Sequence, residues 1–412
     1  MSFVLIIVAA LLVLDLIWWS AARRLLRRAR WKFGAMIAHS LFVALQLFGL
    51  VFVILSRREE FPLELPTIGT VLVYVWHLLV LPLLVPIMIV GGLIGLVISF
   101  FRGPKREPLA QQTHIRQLTP TQTPVMMDRR SFLGTIAALT PPIFSLSLTG
   151  IAMTQLDNFR VRRLTVPIAN LPQALDGATI AHVSDLHVGR FTTGEVLQTM
   201  TAAVNELKAD IVLMTGDLIN SSLEELPEAV ATVRQFQAAS GVYLVEGNHD
   251  LFQGRHEFET RSKAAGLSLL VNETADVTVS GHPVTLLGLR WGAPGVWGDR
   301  PQSSEQGIRA SLDELLGLRR NLNSFPILLA HHPHAFDAAI DADLPLTLAG
   351  HTHGGQLMLN EETGFGPMMF RYWSGLYSKG NHHLVVSNGV GNWFPLRTSA
   401  PAEIIHITLR RA

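Results

Sequence analysis

The strongest constraint on this chain is the apolarity of its first 153 residues. Phe3 to Trp19 is apolar apart from Asp15, and Phe33 to Leu55 forms a second apolar run. Ile68 to Phe101 is a third, and a weaker fourth ends at Met153. Runs of this length and polarity are suited to membrane-spanning helices. As a straight helix the third would measure about 50 Å, against a hydrocarbon core of about 30 Å. Pro82 and Pro86 leave two options, one tilted and kinked helix or two short ones.

Loop charge chooses between them. Lys and Arg collect on the cytoplasmic side of membranes. Two stretches are rich in them: Arg23, Arg24, Arg27, Arg28, Arg30 and Lys32, and then Arg102 to Arg130. A single kinked third helix puts both stretches on the same side, so that reading is preferred. Met127-Asp128-Arg129-Arg130-Ser131-Phe132-Leu133-Gly134 then introduces the fourth run, and it resembles a twin-arginine export signal. No small-x-small cleavage site is evident, so the anchor is expected to be retained. The expected location is a bacterial inner membrane, multi-pass, with everything after Gln155 extracytoplasmic and the twin-arginine export machinery as a partner. The expected layout is a membrane region over 1–126, the fourth segment over 127–155 and a globular domain over 156–412. Gln111–Thr123, rich in Gln, Thr and Pro, reads as a flexible linker.

From Asn158 the pattern becomes globular. Short apolar runs occur at Ala178–Val183, Ile211–Met214, Val242–Val245, Ile327–Ala330, Leu346–Ala349 and Leu384–Ser387. Helical patterns lie between several of them, such as Thr193–Leu207 and Glu224–Gln237. Strands alternating with helices predict an α/β layer arrangement, and the later strands, with fewer helices between them, predict a second sheet packed on the first. Cysteine is absent, which excludes disulfides and thiolate metal sites. The net charge of +1 gives no indication of a nucleic-acid partner.

Five polar motifs fall at the ends of predicted strands, where open α/β folds place their chemistry. They are Asp185-Leu186-His187, Thr215-Gly216-Asp217, Gly247-Asn248-His249-Asp250, His331, and Gly350-His351-Thr352-His353-Gly354-Gly355-Gln356. Residues i and i+2 of an extended chain point the same way, so Asp185 can converge with His187, and His351 with His353. A lone strand-end His is more often structural than a ligand. A set of seven oxygen and imidazole donors at five strand ends is poorly explained that way.

In this order the motifs resemble those of the calcineurin-like metallophosphoesterases, and the resemblance covers roughly Leu164 to Leu409. Ser-Asp-Leu-His, Gly-His-Thr-His-Gly-Gly-Gln and the late Leu396-Arg397 with Pro401-Ala402-Glu403 look like the membrane-associated branch. The resemblance implies a four-layer α-β-β-α sandwich and two divalent metal ions sharing Asp217. Asp185, His187 and His353 would complete one site, and Asn248, His331 and His351 the other. The pattern His-x-Pro selects His331 over His332. His334 stands where the family often has Asp.

The charges agree with that ligand set. Two divalent ions bring +4, while two aspartates and a hydroxide remove three charges, so the remainder favours an anionic phosphoester; a neutral Asn248 preserves it. A mixed nitrogen and oxygen set suits Mn, Fe or Zn. His249 is expected to protonate the leaving oxygen, with Asp250 fixing its ring. Arg190 and Arg397 are candidate phosphate contacts. Trp291, Trp297, Trp373, Trp393 and Phe394 flank the motifs, and a rim that dips into the membrane toward lipid-linked substrates is one reading of them. The expected activity is metal-dependent phosphodiester or phosphomonoester hydrolysis. Two alternatives are a pyrophosphatase acting on a UDP-2,3-diacylglucosamine-type substrate, and a membrane sensor or transporter with a structural metal domain. Asp15 and His77 within the apolar runs are the hints of the latter.

Overall fold

The computed structural model describes residues 2–27, 29, 31–55, 65–101, 129–292 and 305–412. The Gln111–Thr123 linker, most of the Arg102 to Arg130 basic stretch, Arg28, Arg30 and Trp297 lie outside the described residues. The chain divides into two compact units, Met1–Met153 and Thr154–Ala412.

The first unit is helical: α1 (Ser2–Leu26), α2 (Lys32–Leu55), α3 (Thr67–Tyr74), α4 (Leu81–Phe101) and α5 (Arg129–Met153). Among the described residues, four stretches within it are long and apolar enough to cross a membrane: Ile6–Leu26, Lys32–Leu55, Thr67–Ile98 and Ser131–Met153. The third apolar run is continuous, because a π-helical turn, Val75–Val80, joins α3 to α4. That turn lies directly ahead of Pro82, whose missing N–H disturbs the regular hydrogen-bond ladder. The polarity is the reverse of a soluble bundle. Ile87, Leu93, Leu96 and Phe100 point outward, while Asp15, His39, Gln46, Thr70 and His77 are buried. In α5, Pro141 and Pro142 sit mid-helix, and the hydroxyls of Thr135, Ser147 and Thr149 donate to carbonyls four residues back.

The second unit contains two six-stranded sheets. The strands are β1 (Arg160–Ile168), β2 (Thr179–Val183), β3 (Ile211–Thr215), β4 (Val242–Val245), β5 (Ser268–Leu269) and β6 (Glu273–Val279). They continue with β7 (His282–Gly288), β8 (Phe325–Leu329), β9 (Leu346–Ala349), β10 (Gly375–Lys379), β11 (His382–Val386) and β12 (Glu403–Arg411). The orders are β1-β12-β2-β3-β4-β5 and β10-β11-β9-β8-β7-β6. β2, β3 and β4 run parallel, as do β8 and β9, while antiparallel pairs such as β12 with β2 make both sheets mixed.

Strand side chains alternate between two apolar environments, so the strands read as continuous apolar runs. Ile180, Leu213, Ile327, Leu329 and Leu348 meet between the sheets. Ala181, Val183, Val212 and Met214 face outward beneath α6 (Glu195–Glu206), α7 (Leu226–Val233) and α8 (Arg255–Ala264). On the other side Leu287 and Leu328 pack under α9 (Glu305–Leu318) and α10 (Ala335–Asp341). The layers are therefore helix, sheet, sheet, helix, with a short α11 (Phe365–Met369) on a connecting loop. Burying an aliphatic side chain of this size contributes about 1.5–3 kcal/mol, which holds the strand ends in fixed positions.

Candidate metal centre

The carboxyl ends of β2, β3 and β4 in one sheet face those of β8 and β9 in the other. Asp185 and His187 follow β2, Asp217 follows β3, and Asn248, His249 and Asp250 follow β4. His331 follows β8, and His351 and His353 follow β9. The local geometry differs from the extended chain expected for Asp-x-His and His-x-His. Asp185, His187, Asp217, His351 and His353 have φ of 53°, 46°, 53°, 73° and 49°, all left-handed. A non-glycine residue held there costs roughly 1–3 kcal/mol, and such strain concentrates at functional sites. Asp185 and His187 still converge, because tight turns rather than extended strand carry them. His351 and His353 separate into two neighbouring clusters.

In the first cluster His353 Nε2 lies 3.1 Å from His187 Nε2 and 3.3 Å from Asp185 Oδ1. In the second, His331 Nε2 lies 3.2 Å from each of Asp217 Oδ2, Asn248 Oδ1 and His351 Nδ1. Asp217 Oδ2 is also 3.5 Å from His187 Nε2, so one carboxylate oxygen serves both clusters. Asp217 Oδ1 accepts the main-chain N–H of His249 at 2.8 Å, which sets the carboxylate's orientation. Gly247 is required at this point, because a Cβ there would collide with the Asp217 carboxylate.

The donor set fits metal ions. His331 Nδ1 is 2.6 Å from the Thr215 carbonyl, which can only accept, so Nδ1 carries hydrogen and Nε2 turns inward as the ligating atom. His332 turns aside, with its Nδ1 accepting the His334 N–H at 3.1 Å. Asp217 Oδ2, Asn248 Oδ1 and His351 Nδ1 thus converge on His331 Nε2 at 3.2 Å each. Ligands about 2.1 Å from a divalent ion stand about 3.0–3.4 Å apart, a range that includes this distance. The electrostatics match. Burial opposes ionisation of Asp217, yet the His331 and His249 imidazoles hold it well below the usual carboxylate range. Burial is also the main reason that His187, His351 and His353 favour their neutral, ligating form. His331 is the exception. Burial pulls it down, but the Asp217 and Asp185 carboxylates push it up to about 9, which marks where positive charge is favoured.

His249 borders both clusters, its ring centroid 4.5 Å from that of His187. Two residue roles need correction. Asp250 does not hold the His249 ring: its Oδ1 accepts Ile219 N–H at 3.0 Å and its Oδ2 accepts Gly247 N–H at 2.8 Å. The ring is held instead by the Asn220 carbonyl, 2.6 Å from His249 Nδ1. A main-chain acceptor leaves no signature in a motif, and only the fold reveals it. Burial and the neighbouring Asp217 push Asp250 up to about 8, against the pull of the Ile219 and Gly247 N–H groups.

Arg397 is buried and is not a phosphate contact. Its guanidinium donates to Asn388 O at 2.7 Å, Gly391 O at 2.7 Å, Asn392 Oδ1 at 3.0 Å and His353 Nδ1 at 2.9 Å. It therefore fixes a loop and the His353 ring. Gln155 Oε1 accepts Arg397 N–H at 3.0 Å, and Leu156 O accepts from Asn392 Nδ2 at 3.1 Å. Arg190 is half-buried in the loop after His187.

Aromatic rings wall the site. Trp291 lies 5.0 Å from His351 and 5.2 Å from His331, centroid to centroid, and Phe252 lies 4.6 Å from His249. Phe394 is core packing, 5% exposed, and does not belong to an outer rim. The exposed apolar side chains nearby are Phe252, Leu359, Phe365, Met368, Met369 and Trp393, most of them overlooked in the sequence because single exposed apolar residues carry no pattern.

Known proteins match part of this chain. Residues 178–355 match the model for calcineurin-like phosphoesterases. A zebrafish (Danio rerio) transmembrane protein with metallophosphoesterase domain is 30% identical over 276 residues, covering 61% of this chain and 58% of that protein. An uncharacterised metallophosphoesterase of Bacillus subtilis is 29% identical over 259 residues, covering 60% of this chain and 84% of the relative. A dimetal phosphatase of known structure from Danio rerio superposes with a TM-score of 0.35 at 11% identity, over 54% of this chain and 89% of that one. The alignment thus spans less than two thirds of the zebrafish relative's length. Motifs, four-layer fold and family model agree that this chain carries a calcineurin-like metallophosphoesterase domain.

Proposed function

We propose that the chain is a membrane-anchored phosphoester hydrolase working with two divalent metal ions, Mn, Fe or Zn. Asp185, His187, Asp217 and His353 would hold one, and Asp217, Asn248, His331 and His351 the other. The observation that carries this reading is Asp217 Oδ2, within 3.5 Å of His187 Nε2 and 3.2 Å of His331 Nε2. Bound ions would supply Lewis acidity and a water-derived nucleophile at neutral pH.

The residues supply the rest. Asn248 contributes an oxygen without charge, which leaves the centre positive enough to attract a phosphoester. The Asn220 carbonyl commits His249 Nδ1–H, so Nε2 is the atom free to carry a proton to the departing ester oxygen. Arg190, three residues beyond His187, is the candidate contact for the phosphoryl oxygens. Water attacks directly in this scheme, and no protein side chain becomes phosphorylated.

Lipid-linked substrates are favoured by the exposed apolar group on the loop around α11. Leu359 is 82% exposed, Met368 78% and Met369 67%. The loop leads to Phe370, whose ring is 5.8 Å from that of His351. The basic loops and the paired arginines at 129 and 130 favour an extracytoplasmic domain delivered by twin-arginine export. A C-terminal reporter that glows only in the cytoplasm would overturn that placement.

Full-length protein in detergent should hydrolyse bis(p-nitrophenyl) phosphate when Mn is supplied and lose the activity on chelation. Absence of hydrolysis with Mn, Fe and Zn each supplied in turn sinks the hydrolase reading. Equal rates on micellar and soluble phosphodiesters would remove the lipid preference alone.

A further inference from the structure

The helical unit contains a polar cluster that phosphoester hydrolysis leaves unused. Asp15 on α1 is fully buried. Its Oδ1 accepts from Trp76 Nε1 at 2.7 Å, and its Oδ2 lies 2.9 Å from His77 Nε2. His77 Nδ1 is 2.9 Å from the Val73 carbonyl, so that nitrogen carries hydrogen. A second hydrogen must then lie between His77 Nε2 and Asp15, since two bare acceptors at that distance repel. The pair is net neutral and shares one proton, whichever atom owns it.

Trp76 and His77 are consecutive, yet both reach Asp15. Consecutive side chains of a regular helix point about 100° apart. Both residues lie in the π-helical turn Val75–Val80, the kind of local distortion that often marks functional sites.

Around the pair, buried polar atoms go unused. Among the described residues, both ring nitrogens of His39, both amide atoms of Gln46 and Trp18 Nε1 have no hydrogen-bond partner. His39 is 2% exposed and Gln46 0%. Trp18 packs edge-on against His39 at 5.8 Å and lies 6.5 Å from Trp76, which links these groups to Asp15. Gln46 shares the buried face of α2 with His39 and Val43. Each unsatisfied buried group costs roughly 1–3 kcal/mol. Together they offer both donors and acceptors, which suits water. No other acid lies in α1 to α5 or in the π-helical turn. Tyr74 is the one further titratable side chain away from their ends, and α4 and the Ser131–Met153 part of α5 contribute none.

We propose that α1, α2 and the π-helical turn form a hydrated proton-binding site, in which the Asp15–His77 pair exchanges a proton with water held by His39, Gln46 and Trp18. On uptake, hydronium passes its proton to the pair, giving an Asp15 carboxylic acid beside a His77 imidazolium, and leaves as water. Release is the reverse. The inference rests on reading the four apolar helices as membrane spans and is independent of the phosphoesterase reading.

The test uses full-length protein in lipid nanodiscs and infrared difference spectra recorded across a pH titration. The expected result is one carboxylic-acid carbonyl band that titrates, shifts promptly in heavy water and vanishes in Asp15→Asn. His77→Gln should keep the band and move its midpoint, and Gln46→Leu should slow its deuterium shift severalfold. Wild-type protein with no titrating carboxylic-acid band, or with a band that resists deuteration for hours, would overturn the proposal. A deuteration rate unchanged in Gln46→Leu would overturn the assignment of the water to that side chain.

Discussion

Replacing His249 by Ala separates a proton donor from a metal ligand. The structure gives a reason for the two roles to come apart. The hydrogen bond that orients the shared Asp217 comes from the main-chain N–H of His249, and the substitution leaves it in place. Metal content should therefore stay within error of wild type. The ring itself makes one hydrogen bond, to Asn220 O, and packs on Phe252 and His187, so its loss should cost about 1 kcal/mol of stability. Turnover should fall by about 10²–10⁴, the usual contribution of a positioned general acid, equivalent to about 3–5 kcal/mol of barrier. The fall should depend on the leaving group: large for an alkyl alcohol, which needs the proton, and small for p-nitrophenolate, which does not. Steady-state rates on an alkyl and a nitrophenyl phosphodiester, with metal analysis of the same preparations, provide the measurement. Loss of metal in parallel with rate would make His249 a ligand, and equal losses on both substrates would remove the proton-transfer role.

Arg397→Met should destabilise the domain by about 3–5 kcal/mol, because a buried cation with several acceptors is removed, and it should lower metal retention through His353. A well-folded variant with full metal content and only a raised KM would restore the substrate-contact role. Gly350→Ala would push a methyl group into the Ser184 hydroxyl and the Asp185 carboxylate, displacing a ligand. About 1–3 kcal/mol of overpacking and roughly a hundredfold loss of rate are expected, measured by melting and by initial rates. Burial is the main cause that pushes Glu246 up to about 8, against the pull of Arg255, so the folded state retains a proton that the unfolded chain releases near 4.5. This group therefore lowers stability progressively as pH rises from 4.5 to 8, by at most about 1.4 kcal/mol per pH unit. Glu246→Gln lacks that slope, so its melting temperature relative to wild type should climb over the window and level off above it; a pH-independent difference would refute this. If the proposed ions bind the native state alone, chelation should lower the melting temperature and added Mn should raise it with the logarithm of its free concentration; a melting temperature indifferent to both would count against such binding.

The sequence made much of this visible because chemistry and periodicity coincided. The runs Val242–Val245 and Leu346–Ala349 are strands with the same bounds in the fold, since each is short, apolar on both faces and closed by glycine. β1 and β12 escaped notice: both mix charged or polar residues among their apolar ones and pair across 243 residues, which no local pattern announces. At the site, residue types and spacing pointed to the ligand set, while the conformation did not follow from them. Left-handed turns at Asp185 and His353, the Asn220 carbonyl and the buried seat of Arg397 depend on contacts between separate loops or on the main chain.

The five left-handed residues at the strand ends have a consequence for how this domain matures. Each is held in that conformation by bonds to other loops, as His187 N–H to Asp217 O in one sheet and His351 N–H to the Asp185 carboxylate across the two sheets. The turns therefore form only once the two sheets have come together. Under the proposed function, ion capture would follow sheet packing and not precede it.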